Sequence, residues 1–489
     1  MSDETPPPST VELVKQATPT PSATKNALGA SVGRVLGLAC SLVALPFVIR
    51  AIGVSGYGHF TTFTALLALA CAAFELGLSA LVARDLAVTT NRTELLSGVW
   101  RARLISSTAL AALGLLASWV LFYTHHHWWA LVTLAMSLGL PWQLASNLAV
   151  TVGFASHRGA RVGIVELASK FLWVLFGIVI YLEGAHWLTV FVASTVLTGL
   201  PLLTYRWLAG PHHEASSHPR VAHVIKSALP LSFFSIIYLA FNRADVLGLS
   251  LTATPAKVGI YSTCYRMADA ILAIVTASVA VVQPLLSDPE HRSRRYTNAR
   301  ERIVRATAWI SALGIAASPL WLRLLAGRQI ESLTTATILV GELGVGVVFY
   351  AALQVDLVAL VAARRHTLSF WLVGTAALVE LAAVALVGHL NLVVAGGVVL
   401  GIEVVATVCS SALCRRVGLR SHVLSGGVVA CATALVATTL LTLCGDSLIA
   451  GLLVSAGVGV AGLASPAVRR EIAVVLSHLP SRRAAQLHS

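Results

Sequence analysis

The sequence predicts an all-α polytopic membrane protein with about 14 transmembrane helices, and three observations carry that prediction. The first is composition: of 489 residues, 57% are hydrophobic and only 11% are charged, against about 25% charged in an ordinary soluble domain. A soluble globule of this size must clothe its surface in polar side chains, and this chain has too few. A soluble enzyme, a disordered protein and a disulfide scaffold are thereby excluded. The second observation is run length. The apolar runs last about 20 residues, the length at which a helix spans about 30 Å of hydrocarbon, whereas a barrel would show short alternating strands. The third is the placement of charge between the runs.

Residues 1–25, rich in Pro, Ser and Thr (TPPPST, ATPTPSAT), read as a disordered cytoplasmic tail. No short apolar segment with a cleavage site follows, so no signal peptide is expected. Spans then fall near 27–49, 60–83, 104–123, 128–154, 162–182, 186–205, 228–251, 258–286, 304–326, 333–362, 366–388, 390–412, 422–443 and 447–465. They group into an N-terminal lobe at 26–205 (helices 1–6), a cytoplasmic linker at 206–227 and a C-terminal lobe at 228–412 (helices 7–12). Helices 13 and 14 at 413–466 and a cytoplasmic tail at 467–489 complete the chain. The division into two sixes rests on weak symmetry. The first span leads into Gly53-Val54-Ser55-Gly56-Tyr57-Gly58, and the seventh into Lys257-Val258-Gly259-Ile260-Tyr261. Parallel repeats of this kind are one transporter plan.

With the N-terminus inside, the cytoplasmic connections carry 20 Lys and Arg residues, whereas the outer ones carry 4: Arg50, Lys257, Arg323 and Arg328. Such a bias places both termini in the cytoplasm, and one miscounted helix would scramble it. The net charge of +13 then belongs to loops facing anionic membrane lipids, and nucleic acid is not an expected partner. Trp128, Trp129, Trp187 and Trp321 are expected at the outer interface and Trp207 at the inner one. The seven cysteines lie in or beside apolar runs without metal-ligand spacing and read as small buried hydrophobes. The triplet His125-His126-His127 reads as an outer loop before an aromatic anchor, so no metal site is expected. Pro46, Pro141, Pro201, Pro230, Pro284 and Pro319 fall within or at the ends of spans, where they kink or break helices.

No connection is long enough to hold a catalytic domain, so function must sit within the spans. A charge at mid-bilayer costs about 2.5–3.5 kcal/mol, and one that is present faces a cavity or a partner. Arg34 lies about 10 Å from the cytoplasmic edge of the first span, at 1.5 Å per residue. Arg243 and Arg266 lie in the outer halves of the seventh and eighth. A planar, permanently charged guanidinium binds phosphate oxygens bidentately, so these three are the candidate site for an anionic phosphate head. The bland alternative is that they are helix–helix ion pairs. Arg266 and Asp269 are i,i+3 and can pair, whereas Arg243 and Asp245 are i,i+2 and point to different sides, leaving Arg243 freer for a ligand. Glu166 and Lys170 are i,i+4, a spacing that favours an intrahelical pair. Asp245, Asp269, Glu75 and Glu342 are candidate charge partners or ion-coupling groups, and Asp356, Glu380 and Glu403 are further acidic groups within spans.

Two stretches resemble a known family. In the first, residues 32–87, a basic residue in the opening helix (Arg34) precedes a Gly-x-x-x-Tyr-Gly loop (Gly53, Tyr57, Gly58) and a Gly-Leu pair (Gly77, Leu78) before a basic loop. In the second, residues 228–288, the order is Pro230, Arg-x-Asp (Arg243, Asp245), Val-Gly-x-Tyr (Val258, Gly259, Tyr261), Tyr-Arg (Tyr265, Arg266) and Pro284. This ordered set is similar to the polysaccharide transporter and oligosaccharide flippase branch of the multidrug/oligosaccharidyl-lipid/polysaccharide exporter superfamily. The resemblance implies two six-helix lobes around a V-shaped cavity, alternating access, and a polyprenyl-pyrophosphate-linked oligosaccharide as cargo. It also implies that Arg34, Arg243 and Arg266 match basic positions lining that cavity.

The expected function is therefore a flippase of the cell membrane serving cell-surface polysaccharide biosynthesis. Na+ or H+ coupling is the only ion requirement expected, and glycan polymerase and glycosyltransferases are its expected partners. A lipid II-type flippase and a multidrug or cation antiporter share the fold. A membrane glycosyltransferase or polymerase would need a large acidic outer loop that this chain lacks. No nucleotide-binding loop of the Walker type is present.

Overall fold

The computed structural model describes residues 21–85, 92–125, 127–156, 158–209, 221–286, 290–327, 329–330 and 332–419. Residues 1–20 of the expected tail, most of the expected linker (210–220), helices 13 and 14 beyond 419, and the tail at 467–489 lie outside the described residues. Every regular element among those described is a helix. Seven of these helices are long and apolar enough to cross a membrane, or eight if one bent pair counts as a single span.

Two compact units divide the chain, one formed by residues 1–51 and 66–236, the other by 52–65 and 237–489. The first unit opens with α1 (Pro21–Phe74), which begins inside the predicted tail. It is two helices joined across a kink at Gly53, within the gap predicted between spans 27–49 and 60–83; Gly53 takes φ 72°, ψ 166°, a non-helical conformation open to a residue without Cβ. Pro46 lies within α1, Pro141 within a later helix and Pro230 within another, so proline does not break these three. After α1 come α2 (Leu78–Asp85), α3 (Arg92–Tyr123), α4 (His127–Ala155) and α5 (Gly159–Glu183). The shorter α6 (Trp187–Thr198), α7 (Leu200–Leu203) and α8 (Tyr205–Ala209) follow, and then α9 (Val221–Phe241). Trp187 is 5% exposed and packs into the protein, while Trp129 and Trp207 are exposed.

α1 lies against α5 at bare backbone. A Cβ at Gly33 would meet the Gly163 Cα at 2.5 Å, and one at Gly29 would meet Ala160 Cβ at 2.7 Å. Gly29, Gly33 and Gly37 repeat every four residues along one face, the small-residue pattern that lets membrane helices approach closely.

The second unit continues with α10 (Ala244–Thr252), α11 (Pro255–Val282) and a 3-10 turn at Gln283–Leu286. Beyond these lie α12 (Arg292–Ala316), α13 (Ser318–Ala326), α14 (Leu333–Ala362), α15 (His366–Val387) and α16 (Leu392–Arg416). The seventh predicted span is broken between α9 and α10 at Asn242 and Arg243. The ninth bends by 64° between α12 and α13, next to Pro319. The basic stretch 287–303, expected as a loop, is helical from Arg292. α14 forms the centre of the unit, with 22 buried residues between Leu333 and Leu360. Cys71, Cys264 and Cys414 are buried as expected, but Cys40 is half-buried and Cys409 is exposed on the apolar helix Leu392–Arg416.

The two repeated Gly-Tyr motifs meet inside this unit. A Cβ on Gly58 would collide with the Pro255 carbonyl, and one on Gly259 with the Val54 carbonyl. Tyr57 and Tyr261 are both fully buried, and Ser262 Oγ donates to Thr61 Oγ1 at 3.0 Å. Since backbone lies on both sides, neither can give way. Gly259→Ala is expected to lower stability by about 1–3 kcal/mol, the usual cost of overpacking, whereas Gly401→Ala, with nothing within 4 Å, should be tolerated. Thermal unfolding of the two purified variants in detergent checks the contrast.

Candidate functional site

In the first unit, the glycine contact of α1 with α5 sets the position of Arg34. Next to Gly33, it reaches Glu166, one turn beyond Gly163. Arg34 Nε lies 3.5 Å from Glu166 Oε2, and its guanidinium stands 4.7 Å from the centre of the Phe154 ring. Glu166, expected to pair along its own helix with Lys170, thus faces a cation on the neighbouring helix. The Arg34 side chain is 57% exposed, among exposed Val32, Val35 and Leu36.

In the second unit, Arg243 and Arg266 converge on one carboxylate. Arg266 Nη1 lies 3.1 Å from Asp269 Oδ2, as i,i+3 spacing allows, and Arg243 Nη1 lies 3.8 Å from Asp269 Oδ1. The break in the helix places Arg243 there: it precedes α10, and its backbone (φ −132°, ψ 2°) lies outside the helical region. Arg266 Nε also donates to the Tyr57 hydroxyl at 2.5 Å, and its guanidinium stands 5.6 Å from that ring. Asp245 is turned away. Its Oδ2 accepts from the Tyr261 hydroxyl at 2.9 Å and its Oδ1 from the Val246 amide at 2.7 Å, and it is 2% exposed. Two guanidiniums therefore share one carboxylate beside α11, a helix long enough to span a membrane, with the buried Asp245 within electrostatic reach of Arg243.

The remaining acidic candidates are dispersed. Glu75 closes α1, its amide donating to the Cys71 carbonyl at 2.8 Å. Glu342 lies on α14 against Gly396 and Gly397, and its Oε2 is buried without a partner. Glu380 and Glu403 are buried on α15 and α16. Among the described residues, no three His, Cys, Asp or Glu side chains are grouped to hold a metal ion.

Two arginines counted as loop cations turn out to be buried. Arg103 is 1% exposed; its Nη1 donates to the Phe74 carbonyl at 3.4 Å at the end of α1, and its Nε and Nη2 have no partner. Arg300 is 4% exposed and pairs with fully buried Asp356 at 2.8 Å. Asp356 also accepts from Tyr296 (2.7 Å), Ser410 (2.7 Å) and Ser411 (3.0 Å), which ties α12, α14 and α16 together. No local pattern announces these partners, because they lie 54–60 residues apart in sequence.

A family model described as polysaccharide biosynthesis protein matches residues 23–289. No curated protein matches the chain in sequence. The fold is similar to that of the lipid II flippase MurJ in an inward closed conformation: 12% identity, a TM-score of 0.63, and coverage of 90% of this chain and 99% of that one. It is also similar to an inward-facing multidrug resistance MATE family transporter of the MOP superfamily, at 13% identity and a TM-score of 0.60, covering 80% of this chain and 98% of that one. A MOP superfamily transporter from Pyrococcus furiosus, whose binding pocket is described as having reverse polarity, is similar over 81% of this chain and 96% of its own, with 16% identity and a TM-score of 0.58. At these identities the likeness is one of fold alone.

Proposed function

The chain belongs to the polysaccharide biosynthesis protein family, and on that premise we propose that it is a flippase for a polyprenyl-pyrophosphate-linked oligosaccharide in the cytoplasmic membrane. The observation that carries this reading is the pair Arg243 and Arg266 on the single carboxylate of Asp269. Two guanidiniums gathered on one partly exposed carboxylate suit a mobile anion, and a guanidinium fork suits pyrophosphate oxygens. The same charge disfavours a cationic drug as cargo. Arg34 in the first unit, half exposed and only loosely held by Glu166, is a second phosphate contact. Transport proceeds by alternating access, with the isoprenoid tail remaining in lipid. A Na+ or H+ gradient, or consumption of cargo on the outer face, supplies direction. Asp245, Asp269, Glu75 and Glu342 are the carboxylates for an ion-coupled step. Glycosyltransferases make the cargo and a glycan polymerase uses it.

The test is flipping of a fluorescent polyprenyl-pyrophosphoryl oligosaccharide by the protein reconstituted in liposomes. Losing a hydrogen bond to a charged group costs about 1.5–3 kcal/mol, so Arg243→Ala should slow flipping about 10- to 100-fold at unchanged abundance. Arg243→Lys should recover only part of the rate, since an ammonium keeps the charge without the fork. A wild-type rate in Arg243→Ala overturns the phosphate site.

A further inference from the structure

We propose that the first unit holds one anionic phospholipid of the cytoplasmic leaflet along α5, with the headgroup phosphate on Arg158 and Arg161 and an acyl chain in the groove between α5 and α6. The inference goes beyond the flippase reading and uses none of its three arginines. At the start of α5, Arg158 Nη1 and Arg161 Nη1 both donate to the Trp207 carbonyl of α8, at 3.2 and 2.9 Å. The Arg161 guanidinium also stands 5.2 Å from the centre of the Trp207 ring. Arg206 adjoins Trp207 in the chain, and both are exposed. Among the described residues, Arg158, Arg161 and Arg206 form no ion pair. A guanidinium carries five N–H donors, and Arg158 and Arg161 each spend one on the shared carbonyl. Three cations without a carboxylate, beside an exposed tryptophan on the side that the charge bias assigns to the cytoplasm, form a basic pocket suited to a lipid phosphate.

The apolar half of the site lies on the same helix. A groove of about 580 Å3 is lined by Leu172 and Phe176 of α5 and by Leu188, Val192, Val196 and Leu197 of α6. Leu172 and Phe176 follow Arg161 at i+11 and i+15, which puts all three within about 60° around the helix. Head pocket and groove thus share one face. Along the axis, Leu172 and Phe176 stand about 16 and 22 Å from Arg161, and half of a 30 Å hydrocarbon core is about 15 Å. A chain hanging from a phosphate at the arginines therefore ends in the groove. Capping of the last carbonyls of α8 accounts for the two hydrogen bonds to Trp207. It leaves the other N–H groups of both guanidiniums unspent, and it gives no reason for an apolar groove at leaflet depth on that same face.

The experiment measures lipid binding to the purified full-length protein in detergent by native mass spectrometry. The probes are dioleoyl phosphatidylglycerol, dioleoyl phosphatidylcholine and dihexanoyl phosphatidylglycerol. Wild type should bind the first about 10-fold tighter than either of the others. Arg158→Gln with Arg161→Gln keeps an N–H for the Trp207 carbonyl and should bring the two dioleoyl lipids within about 2-fold of each other. Val192→Trp fills the groove at a position 43% exposed, where folding is not at stake. It should weaken dioleoyl phosphatidylglycerol about 3-fold or more and leave the dihexanoyl lipid within about 2-fold. If wild type does not distinguish the two dioleoyl headgroups, or if the glutamine pair keeps the preference, the arginines hold no phosphate and the proposal falls. If Val192→Trp binds dioleoyl phosphatidylglycerol as wild type does, the groove holds no chain of that lipid and the proposal falls equally. Neither outcome bears on Arg243→Ala in the flipping assay, so the two readings fail separately.

Discussion

Asp356→Ala should destabilise the protein by about 3–5 kcal/mol, the cost of removing one partner from a buried ion pair. Asp356 is fully buried and its two carboxylate oxygens accept from Arg300, Tyr296, Ser410 and Ser411. Arg300 keeps a 2.8 Å bond from Nη2 to Ser411 Oγ, but a hydroxyl does not neutralise a guanidinium that is 4% exposed. Replacing both charges with apolar residues of similar volume, Arg300→Met with Asp356→Leu, should recover much of the loss, because the desolvation of both ions is then removed as well. The recovery is incomplete, since Tyr296, Ser410 and Ser411 lose their common acceptor. Thermal unfolding of the two variants in detergent gives the ordering. If Asp356→Ala melts with wild type, the network does not hold α12, α14 and α16 together.

What the sequence made legible were the features that local physics controls. Apolar run length and the alternation of Lys and Arg specify a multi-span helical protein, and the i,i+3 spacing foretells the contact of Arg266 with Asp269. Features settled by distant partners were not legible. The break near Gly53 was legible, but not that a single residue at φ 72° makes it as a kink between two helices. The basic segment 287–303 reads as a solvated loop until Asp356, 56 residues beyond Arg300, supplies a buried counter-ion. Glu166 has a lysine one turn away, but the packing of Gly33 on Gly163 brings Arg34 to it. Arg243 reaches Asp269 because the helix breaks beside Asn242, and Arg266 reaches Tyr57 across 209 residues of sequence. The recurrence of Gly58-type and Gly259-type motifs was the one signal that could have exposed this last contact. Glycines whose Cβ would strike a backbone carbonyl in each other's segment mark two chains in contact, and each motif brings its tyrosine.

Asp269→Asn should tighten binding of polyprenyl pyrophosphate and slow its flipping, the opposite binding effect from Arg243→Ala. Asp269 is the shared counter-ion of Arg243 and Arg266, so its neutralisation raises the net charge of the cluster by one unit. Unit charges 4 Å apart interact by about 4 kcal/mol at an effective dielectric near 20. All three side chains are about a quarter to a third exposed, so solvent screens much of this, and a gain of about tenfold in affinity, or 1.4 kcal/mol, is expected. Tighter binding does not help a carrier. A ligand moves a conformational equilibrium only by its differential affinity for the two states, and a head held equally hard in both is released more slowly from each. Charge arithmetic then gives a decisive comparison. The double variant Asp269→Asn with Arg243→Ala restores the wild-type net charge and should return the affinity to within about 3-fold of wild type, although it has lost both side chains. If Asp269→Asn instead weakens binding as Arg243→Ala does, the carboxylate serves to hold the guanidiniums in place. Geometry, and not surplus charge, would then recognise the head.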